Sequence, residues 1–284
     1  MGSRTTVGAA LVAVAIGSAL PAGAETPFER GAYLMGSIVA CGNCHTEQGP
    51  VAPAPGRELA GGTKFDEPPF TAYAPNITPD PETGIGKWTD DQIIAAIREG
   101  RRPDGSIIGP PMPIEVYRGM SDSDAKAIVA YLRKVKPLKN AVPKSVYRIT
   151  LPDSYGPPVG AVPDMPRSNK IAYGAYLAGP LGHCIVCHSP MVDGKRDFSR
   201  VGAGGPPLHG PWGDAVPPNI TPDPKHGIGT WTDGQIKQAV TKGVDPHGRE
   251  LSPPMGYRYY QRIHARDLDA LVAYLRSLQP IATP

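Results

Sequence analysis

The chain has 284 residues, with 29 lysines and arginines against 26 aspartates and glutamates and a formal net charge of +3 at pH 7. So mild a charge excludes the dense basic face that nucleic-acid binding requires. Glycine and proline are abundant, at 34 and 35 residues, which favours short helices joined by long irregular loops.

Residues 1–24 have the three parts of a secretory signal peptide. Arg4 gives a positively charged start, residues 7–20 form an apolar stretch, and residues 22–24 form an Ala-x-Ala cleavage site. The apolar stretch is too short and too rich in glycine for a good membrane span, and no other stretch approaches membrane length. We therefore expect export to the periplasm, a mature chain that begins at Glu25, and no integral membrane span, with peripheral association left open.

Short sequence signals then predict helices along the mature chain. Thr26 and Glu29 form a capping box in front of the first helix, and Thr89 with Gln92 begins another. Gly100 stands where the C-cap of that second helix belongs. A last helix carries apolar residues at i, i+3 and i+4: Ile128, Tyr131 and Leu132. No convincing strand-type alternation is present, so the chain is predicted to be mainly α-helical.

Every cysteine of the chain belongs to one of two Cys-x-x-Cys-His motifs. The motifs contain Cys41, Cys44 and His45, then Cys184, Cys187 and His188. This pattern is typical of covalent haem attachment, in which the thiols bond the porphyrin vinyl groups and the histidine becomes the proximal iron ligand. A zinc site and a thioredoxin-type redox pair are the alternatives, but a redox pair has no need of the histidine. We predict two covalently bound haem c groups and no disulfide.

The sequence repeats itself at a shift of 143 residues, which places Cys41 on Cys184 and Tyr131 on Tyr274. A period of this length is the size of a domain. Two tandem copies of one domain, each with its own haem site, are therefore expected.

The repeat sets the predicted domain boundaries. Domain 1 covers residues 25–137 and domain 2 covers residues 169–284, with a proline-rich linker at residues 138–168. Such a linker cannot be helical for long. Its apolar and aromatic residues, among them Val146 and Tyr147, favour packing over free coil.

The repeat also indicates the sixth iron ligand. Among seven methionines, only Met112 and Met255 are equivalent under the shift, and each follows two prolines. A proline-stiffened loop presents a thioether with little ordering entropy left to lose. Met35 and Met120 have no methionine partner. We therefore predict Met112 and Met255 as axial ligands, with core filling as the alternative for any single methionine.

The order of these motifs resembles a known family. In each copy, Cys-x-x-Cys-His is followed by Asn-Ile-Thr-Pro-Asp, Gly-Ile-Gly-x-Trp-Thr-Asp, Pro-Pro-Met and a helix with Ala-Tyr-Leu. The chain looks like the multi-haem cytochrome c proteins that serve periplasmic alcohol, aldehyde and nicotinate dehydrogenases. The resemblance implies two tandem domains of the class I cytochrome c fold.

The resemblance also implies roles for matched residues. The first and last helices of each domain would cross, with Gly31 and Gly174 allowing the close approach. Trp88 and Trp231 would donate their indole N–H groups to a haem propionate, with simple core packing as the alternative. Apart from the resemblance, His183 has no histidine counterpart in the first copy and is expected to be a surface or loop residue, with tuning of the second haem as the alternative because it stands beside Cys184.

A histidine and a methionine fill both axial positions of an iron and leave no open site for a substrate. Such a haem passes single electrons, and methionine ligation raises its potential. We therefore expect an electron-transfer protein or subunit rather than an enzyme, carrying electrons from a periplasmic dehydrogenase toward the respiratory chain, to an oxidase or another cytochrome. A dihaem enzyme is the alternative. A peroxidase needs a five-coordinate haem, and a cysteine-ligated thiosulfate dehydrogenase needs a cysteine outside the motifs, which the chain lacks.

Overall fold

The computed structural model describes residues 1–2, 25–47, 55–210 and 212–283. The helices of the first copy are α1 (Pro27–Gly36), α2 (Gly42–His45), α3 (Asp90–Arg98), α4 (Ile114–Tyr117) and α5 (Asp122–Leu132). Those of the second copy are α6 (Lys170–Tyr176), α7 (Cys184–Cys187), α8 (Asp233–Lys242), α9 (Tyr257–Tyr260) and α10 (Ala265–Ser277). A π-helical turn (Leu177–Leu181) continues α6. The helices of the two copies therefore follow one another in the same order.

Short β-strands also lie in the loops, and the sequence predicted none of them. They are β1 (Lys64–Glu67), β2 (Phe70–Tyr73), β3 (Val146–Tyr147), β4 (Met191–Val192), β5 (Lys195–Arg196), β6 (Leu208–Gly210) and β7 (Gly213–Ala215). The first three form an antiparallel sheet in the order β1-β2-β3, and the other four form two hairpins. Strands this short cannot show a clear period-two alternation. The description as mainly α-helical therefore holds only loosely.

The predicted helix starts are confirmed. At α1, the Thr26 hydroxyl accepts a hydrogen bond from the Glu29 backbone N–H, and the Glu29 carboxylate accepts one from the Thr26 N–H at 2.8 Å. The same capping box closes at α3 with Thr89 and Gln92. The equivalent box at α8 is formed by Thr232 and Gln235. Each box satisfies N–H groups that would otherwise lack a partner at a helix end.

The first and last long helices cross in each copy, α1 with α5 and α6 with α10. At the first crossing, a Cβ atom on Gly31 would overlap the carbonyl oxygen of Ala127. At the second, a Cβ atom on Gly174 would overlap the carbonyl oxygen of Ala270. The close approach expected at both glycines is therefore confirmed.

Residues 138–168 lie against the first copy. Strand β3 pairs with β2, and the Tyr155 hydroxyl donates to the carbonyl of Ile108 at 2.8 Å. The buried Arg98 side chain donates to the carbonyl of Gly160 at 3.2 Å. The linker is thus packed on its first domain, as its apolar residues indicated.

Most of the predicted signal peptide lies outside the described residues, which leave out residues 3–24. The domain boundaries at residues 137/138 and 168/169 stay predictions. No helix within the described ranges is both long and apolar enough to cross a membrane.

The two copies pack against each other through reciprocal contacts. The Tyr33 hydroxyl donates to a carboxylate oxygen of Asp267 at 2.7 Å. The Tyr176 hydroxyl donates to a carboxylate oxygen of Asp124, also at 2.7 Å. The 143-residue shift exchanges these two bonds, because it places Tyr33 on Tyr176 and Asp124 on Asp267. Such reciprocity is the property of an approximately two-fold interface.

Apolar side chains from both copies form one continuous core at this interface. The first copy contributes buried residues that include Met35, Ile38, Val39 and Met120. The second copy contributes Tyr176, Leu177, Leu181 and Tyr260. The two domains therefore share buried apolar surface, which ties them together by the hydrophobic effect.

Candidate haem sites

The two motif histidines occupy the same position in both copies. His45 ends α2, and its Nδ1 lies 2.8 Å from the carbonyl oxygen of Pro75. His188 follows α7, and its Nδ1 lies 2.8 Å from the carbonyl oxygen of Pro218. A carbonyl oxygen only accepts hydrogen bonds, so Nδ1 carries the hydrogen and Nε2 keeps the lone pair that binds a metal. Burial lowers the pKa of both imidazoles, which favours the neutral form that ligation requires.

These prolines begin the two Asn-Ile-Thr-Pro loops, which are tied to the chain after each last helix. In the first copy, Asn76 accepts from the N–H of Thr78 at 2.9 Å and donates to the carbonyl of Leu138 at 2.7 Å. In the second copy, Asn219 makes the same pair of bonds with Thr221 and Ile281. The loops thus position the carbonyls that orient the histidines.

None of the four motif cysteines forms a disulfide. Burial raises the pKa of Cys41, Cys44 and Cys184 to about 12, and it also raises that of Cys187. Cys187 lies close enough to Cys44 to raise the pKa of that thiol further. The two attachment motifs therefore approach each other across the domain interface.

The predicted methionine ligands lie in matched loops. Met112 follows a cis Pro110–Pro111 bond, and Met255 follows a cis Pro253–Pro254 bond. Both side chains are partly buried against the shared core. Met35 and Met120, which the repeat argument set aside, are 3% and 0% exposed and belong to that core. The assignment of Met112 and Met255 as iron ligands stays a prediction.

Trp88 and Trp231 are partly buried; Trp88 packs on the shared core, and Trp231 packs on an apolar cluster of the second copy. Their backbone carbonyls accept hydrogen bonds from Arg133 and Arg276, which also pair with aspartates at the starts of α3 and α8. The structure thus gives both indoles a packing role. The hydrogen bond from each indole N–H to a haem propionate stays a prediction.

Two buried tyrosines near the motifs were missed at the sequence level. Burial and the nearby Cys41 and Cys44 raise the pKa of Tyr117. Burial and the thiols of both copies, Cys184 first, raise that of Tyr260. The 143-residue shift places Tyr117 on Tyr260, so the repeat carried the signal that could have found them.

Comparison with known proteins identifies the family of the chain. The sequence profile described as cytochrome c matches residues 28–136 and again residues 171–279. The chain belongs to the cytochrome c family. The resemblance seen in the sequence is therefore confirmed, and two tandem cytochrome c domains are present.

Similar proteins include cytochrome subunits of dehydrogenases. The fructose dehydrogenase cytochrome subunit of Gluconobacter japonicus is 33% identical over 278 residues, which cover 91% of this chain and 54% of that protein. A nicotinate dehydrogenase subunit of Pseudomonas putida is 31% identical over 256 residues, covering 84% of this chain and 20% of that protein. A diheme cytochrome c-type protein of Cereibacter sphaeroides is 32% identical over 258 residues, covering 85% and 82%.

This cytochrome is shorter than most of those relatives. It spans 54% of the fructose dehydrogenase subunit and 62% of the alcohol dehydrogenase (quinone) cytochrome c subunit of Gluconacetobacter polyoxogenes. The activities of those whole proteins are therefore not assigned to this chain.

The side chains of this cytochrome fit the haem c of its family. Each copy offers two free thiols one helical turn apart, an imidazole whose Nδ1 is held by a carbonyl, and a thioether beside an apolar core. Thioether and imidazole are suitable axial ligands of haem iron. The chain therefore carries two covalently bound haem c groups, and the zinc and redox-pair alternatives fall away.

Proposed function

We propose that this chain is an exported dihaem cytochrome c that takes single electrons from a dehydrogenase and passes them toward the respiratory chain. Similar proteins are named as cytochrome subunits of fructose, alcohol and gluconate dehydrogenases and as a subunit of nicotinate dehydrogenase. In this proposal another protein oxidises the substrate, and this chain is its electron-transfer subunit or partner. The acceptor is an oxidase or another cytochrome. Residues 1–24 direct export to the periplasm.

The proposal assigns one complete ligand set to each copy. Cys41 and Cys44 hold the first haem, with His45 and Met112 as axial ligands. The second haem takes the equivalent set: Cys184, Cys187, His188 and Met255. Each haem supplies a one-electron Fe(III)/Fe(II) couple when bound. Trp88 and Trp231 are proposed to donate to the propionates.

The chain's own residues then hold these sites closed. The bond from each histidine Nδ1 to a proline carbonyl fixes the ring orientation and increases the basicity of Nε2. Met112 and Met255 would be the second protein ligands of the irons, and their loops would keep small molecules away from the metal. One observation carries the proposal: the Nδ1 atom of the motif histidine lies 2.8 Å from a proline carbonyl oxygen in both copies. A dihaem peroxidase would need one five-coordinate haem, and this bond does not distinguish one copy from the other.

The decisive test uses the holo-protein from a host with cytochrome c maturation. Its mass after denaturation should equal the chain without residues 1–24 plus two haems. In stopped-flow mixing, a substrate-reduced dehydrogenase of the fructose, alcohol or nicotinate type should reduce both haems with saturable kinetics. Peroxide and thiosulfate should not be turned over. Steady-state turnover of either compound by the cytochrome alone would contradict the proposal and favour the dihaem enzyme.

A further inference from the structure

The two haem sites match closely but differ at the residue before the first cysteine. This residue is Ala40 in the first copy and His183 in the second. Both adopt a left-handed backbone, with φ of 49° and 44°. We propose that His183 lowers the reduction potential of the haem attached to Cys184 and Cys187, an effect that Ala40 cannot produce at the first haem.

The His183 side chain contacts a residue of the first copy. Its ring contacts the ring of Tyr117 edge-on, with centroids 5.9 Å apart and an interplanar angle of 77°. Tyr117 belongs to the first copy and is close enough to Cys41 and Cys44 for those thiols to raise its pKa. His183 is itself bonded through the backbone to Cys184. One imidazole is thus next to the second attachment site and in contact with a side chain of the first.

The equivalent place in the other copy is apolar. A Cβ atom added to Gly256 would lie 3.4 Å from the ring of Tyr260 and 3.7 Å from the Cβ atom of Ala40. Tyr260 and Ala40 are therefore close together. Tyr260 is the counterpart of Tyr117, so the repeat preserves the tyrosine and replaces the imidazole by a methyl group. At this position the two sites therefore differ in the polarity of one side chain on a similar backbone.

The direction of the effect follows from the charge of the iron. Burial lowers the pKa of His183 to about 4, so its ring is neutral and polar at neutral pH. An oxidised haem carries one more positive charge than a reduced one, and polar surroundings stabilise it relative to the reduced form. A polar imidazole beside Cys184 therefore favours the oxidised state more than a methyl group does. Arg196 and Glu115 also lie near Cys187, but they are unchanged in the variants below.

The inference rests on the proposed pair of Met-ligated haems, which the spectrum and mass of the unaltered protein test first. The variant His183→Ala is then titrated by spectroelectrochemistry in the holo-protein. Met255→Ala identifies which redox step belongs to the second haem. Ala40 shows that alanine adopts this left-handed backbone in the same fold, so the variant should retain the native structure. His183→Asn keeps a polar side chain of a type that tolerates this conformation.

We expect His183→Ala to raise the potential of the second haem more than that of the first, and His183→Asn to raise it less than His183→Ala. A matched control is His264→Ala. His264 also stacks on an interface tyrosine, Tyr33, with centroids 3.9 Å apart, but it is distant in sequence from both motifs. His264→Ala should leave both reduction potentials unchanged. The inference is overturned if His183→Ala changes neither potential, lowers the second, shifts both equally, or acts no differently from His264→Ala.

Discussion

His45 and His188 acquire their orientation from backbone that lies far away in the sequence. Each Nδ1 donates to a proline carbonyl at 2.8 Å, and the next residue, Asn76 or Asn219, is 3% or 7% exposed and bonded to the chain beyond the last helix. An asparagine that bonds donors and acceptors on both sides holds such a loop in one conformation. The geometry of each ligand therefore depends on the complete fold of its own copy.

Met112 and Met255, the proposed thioether ligands, are the subject of the first prediction. Met112→Ala and Met255→Ala should each remove about half of the long-wavelength charge-transfer band of the Met–Fe(III) bond, and each should lower one midpoint potential. Loss of the soft ligand removes the stabilisation that it gives to Fe(II). The control is Met120→Leu, which conserves volume at a core position that is 0% exposed and should change neither property. A variant of Met112 or Met255 that keeps the full band would identify that methionine as a core residue.

The sequence marked candidate site residues wherever the repeat or a local motif was present, and the structure places the two histidines in matched positions of the two copies. The roles of these residues at the haems stay predictions. The Cys-x-x-Cys-His motifs and the paired methionines are visible at fixed spacing. The proline carbonyls were missed, because a backbone oxygen has no residue type to signal its role. Tyr117 and Tyr260 were missed because a buried tyrosine resembles any other core aromatic residue until its neighbours are known.

Among the elements, the crossing of α1 with α5 depends on the absence of a side chain. A Cβ atom on Gly31 would overlap the Ala127 carbonyl oxygen, whereas one on Gly36, in the same helix, would meet nothing within 4 Å. The two glycines therefore form a matched pair for mutation. Backbone atoms cannot move aside as a flexible side chain can, so the first substitution must separate the helices.

We expect Gly31→Ala to destabilise the holo-protein by about 1–3 kcal/mol or more, because overpacking forces the backbone apart. Gly36→Ala should leave the stability unchanged or raise it by up to about 1 kcal/mol, because alanine loses less conformational freedom in a helix. Thermal unfolding followed at the haem absorbance and by circular dichroism measures both. Equal effects of the two substitutions would show that the helices do not cross as closely as described.

Helices were predictable from local chemistry, whereas strands were not. Capping boxes at Thr26, Thr89 and Thr232 mark helix starts because each box satisfies N–H groups within one turn. The strands are two to four residues long, which is too short for a clear period-two alternation, although six of them pair with their neighbour in the chain. Strand β3 differs, because it forms only where the linker returns to the first copy beside β2.

For the whole molecule, the relation between the two domains was the least predictable feature. An apolar stripe on a helix shows that the helix is packed, but not which copy it packs against. The reciprocal bonds of Tyr33 with Asp267 and of Tyr176 with Asp124 determine that relation in the structure. Each tyrosine hydroxyl also accepts a backbone N–H, from His264 at 3.2 Å and from Ser121 at 3.1 Å.

The two aspartates that accept these bonds differ in their other partners. Asp124 also binds Arg30 at 2.7 Å. The residue equivalent to Arg30 is Tyr173, so Asp267 lacks that partner. One of its oxygens has no hydrogen bond, and the Arg266 side chain lies 3.6 Å from that oxygen. Asp267 is nevertheless 1% exposed, and the Tyr33 hydroxyl is therefore more important to its carboxylate than the Tyr176 hydroxyl is to Asp124.

Removing each hydroxyl in turn tests whether these bonds hold the domains together. Tyr33→Phe should destabilise the holo-protein by about 2–3 kcal/mol, because a buried carboxylate loses its hydrogen-bond donor. Tyr176→Phe should cost about 1–2 kcal/mol, because Arg30 still satisfies Asp124. The measurement is the free energy of unfolding in denaturant. Tyr274→Phe is the control, since its hydroxyl makes no hydrogen bond within the described residues. If Tyr33→Phe is no more destabilising than Tyr274→Phe, the reciprocal bonds do not fix the interface. If Tyr176→Phe lowers the free energy of unfolding more than Tyr33→Phe does, the difference inferred between the two aspartates is wrong.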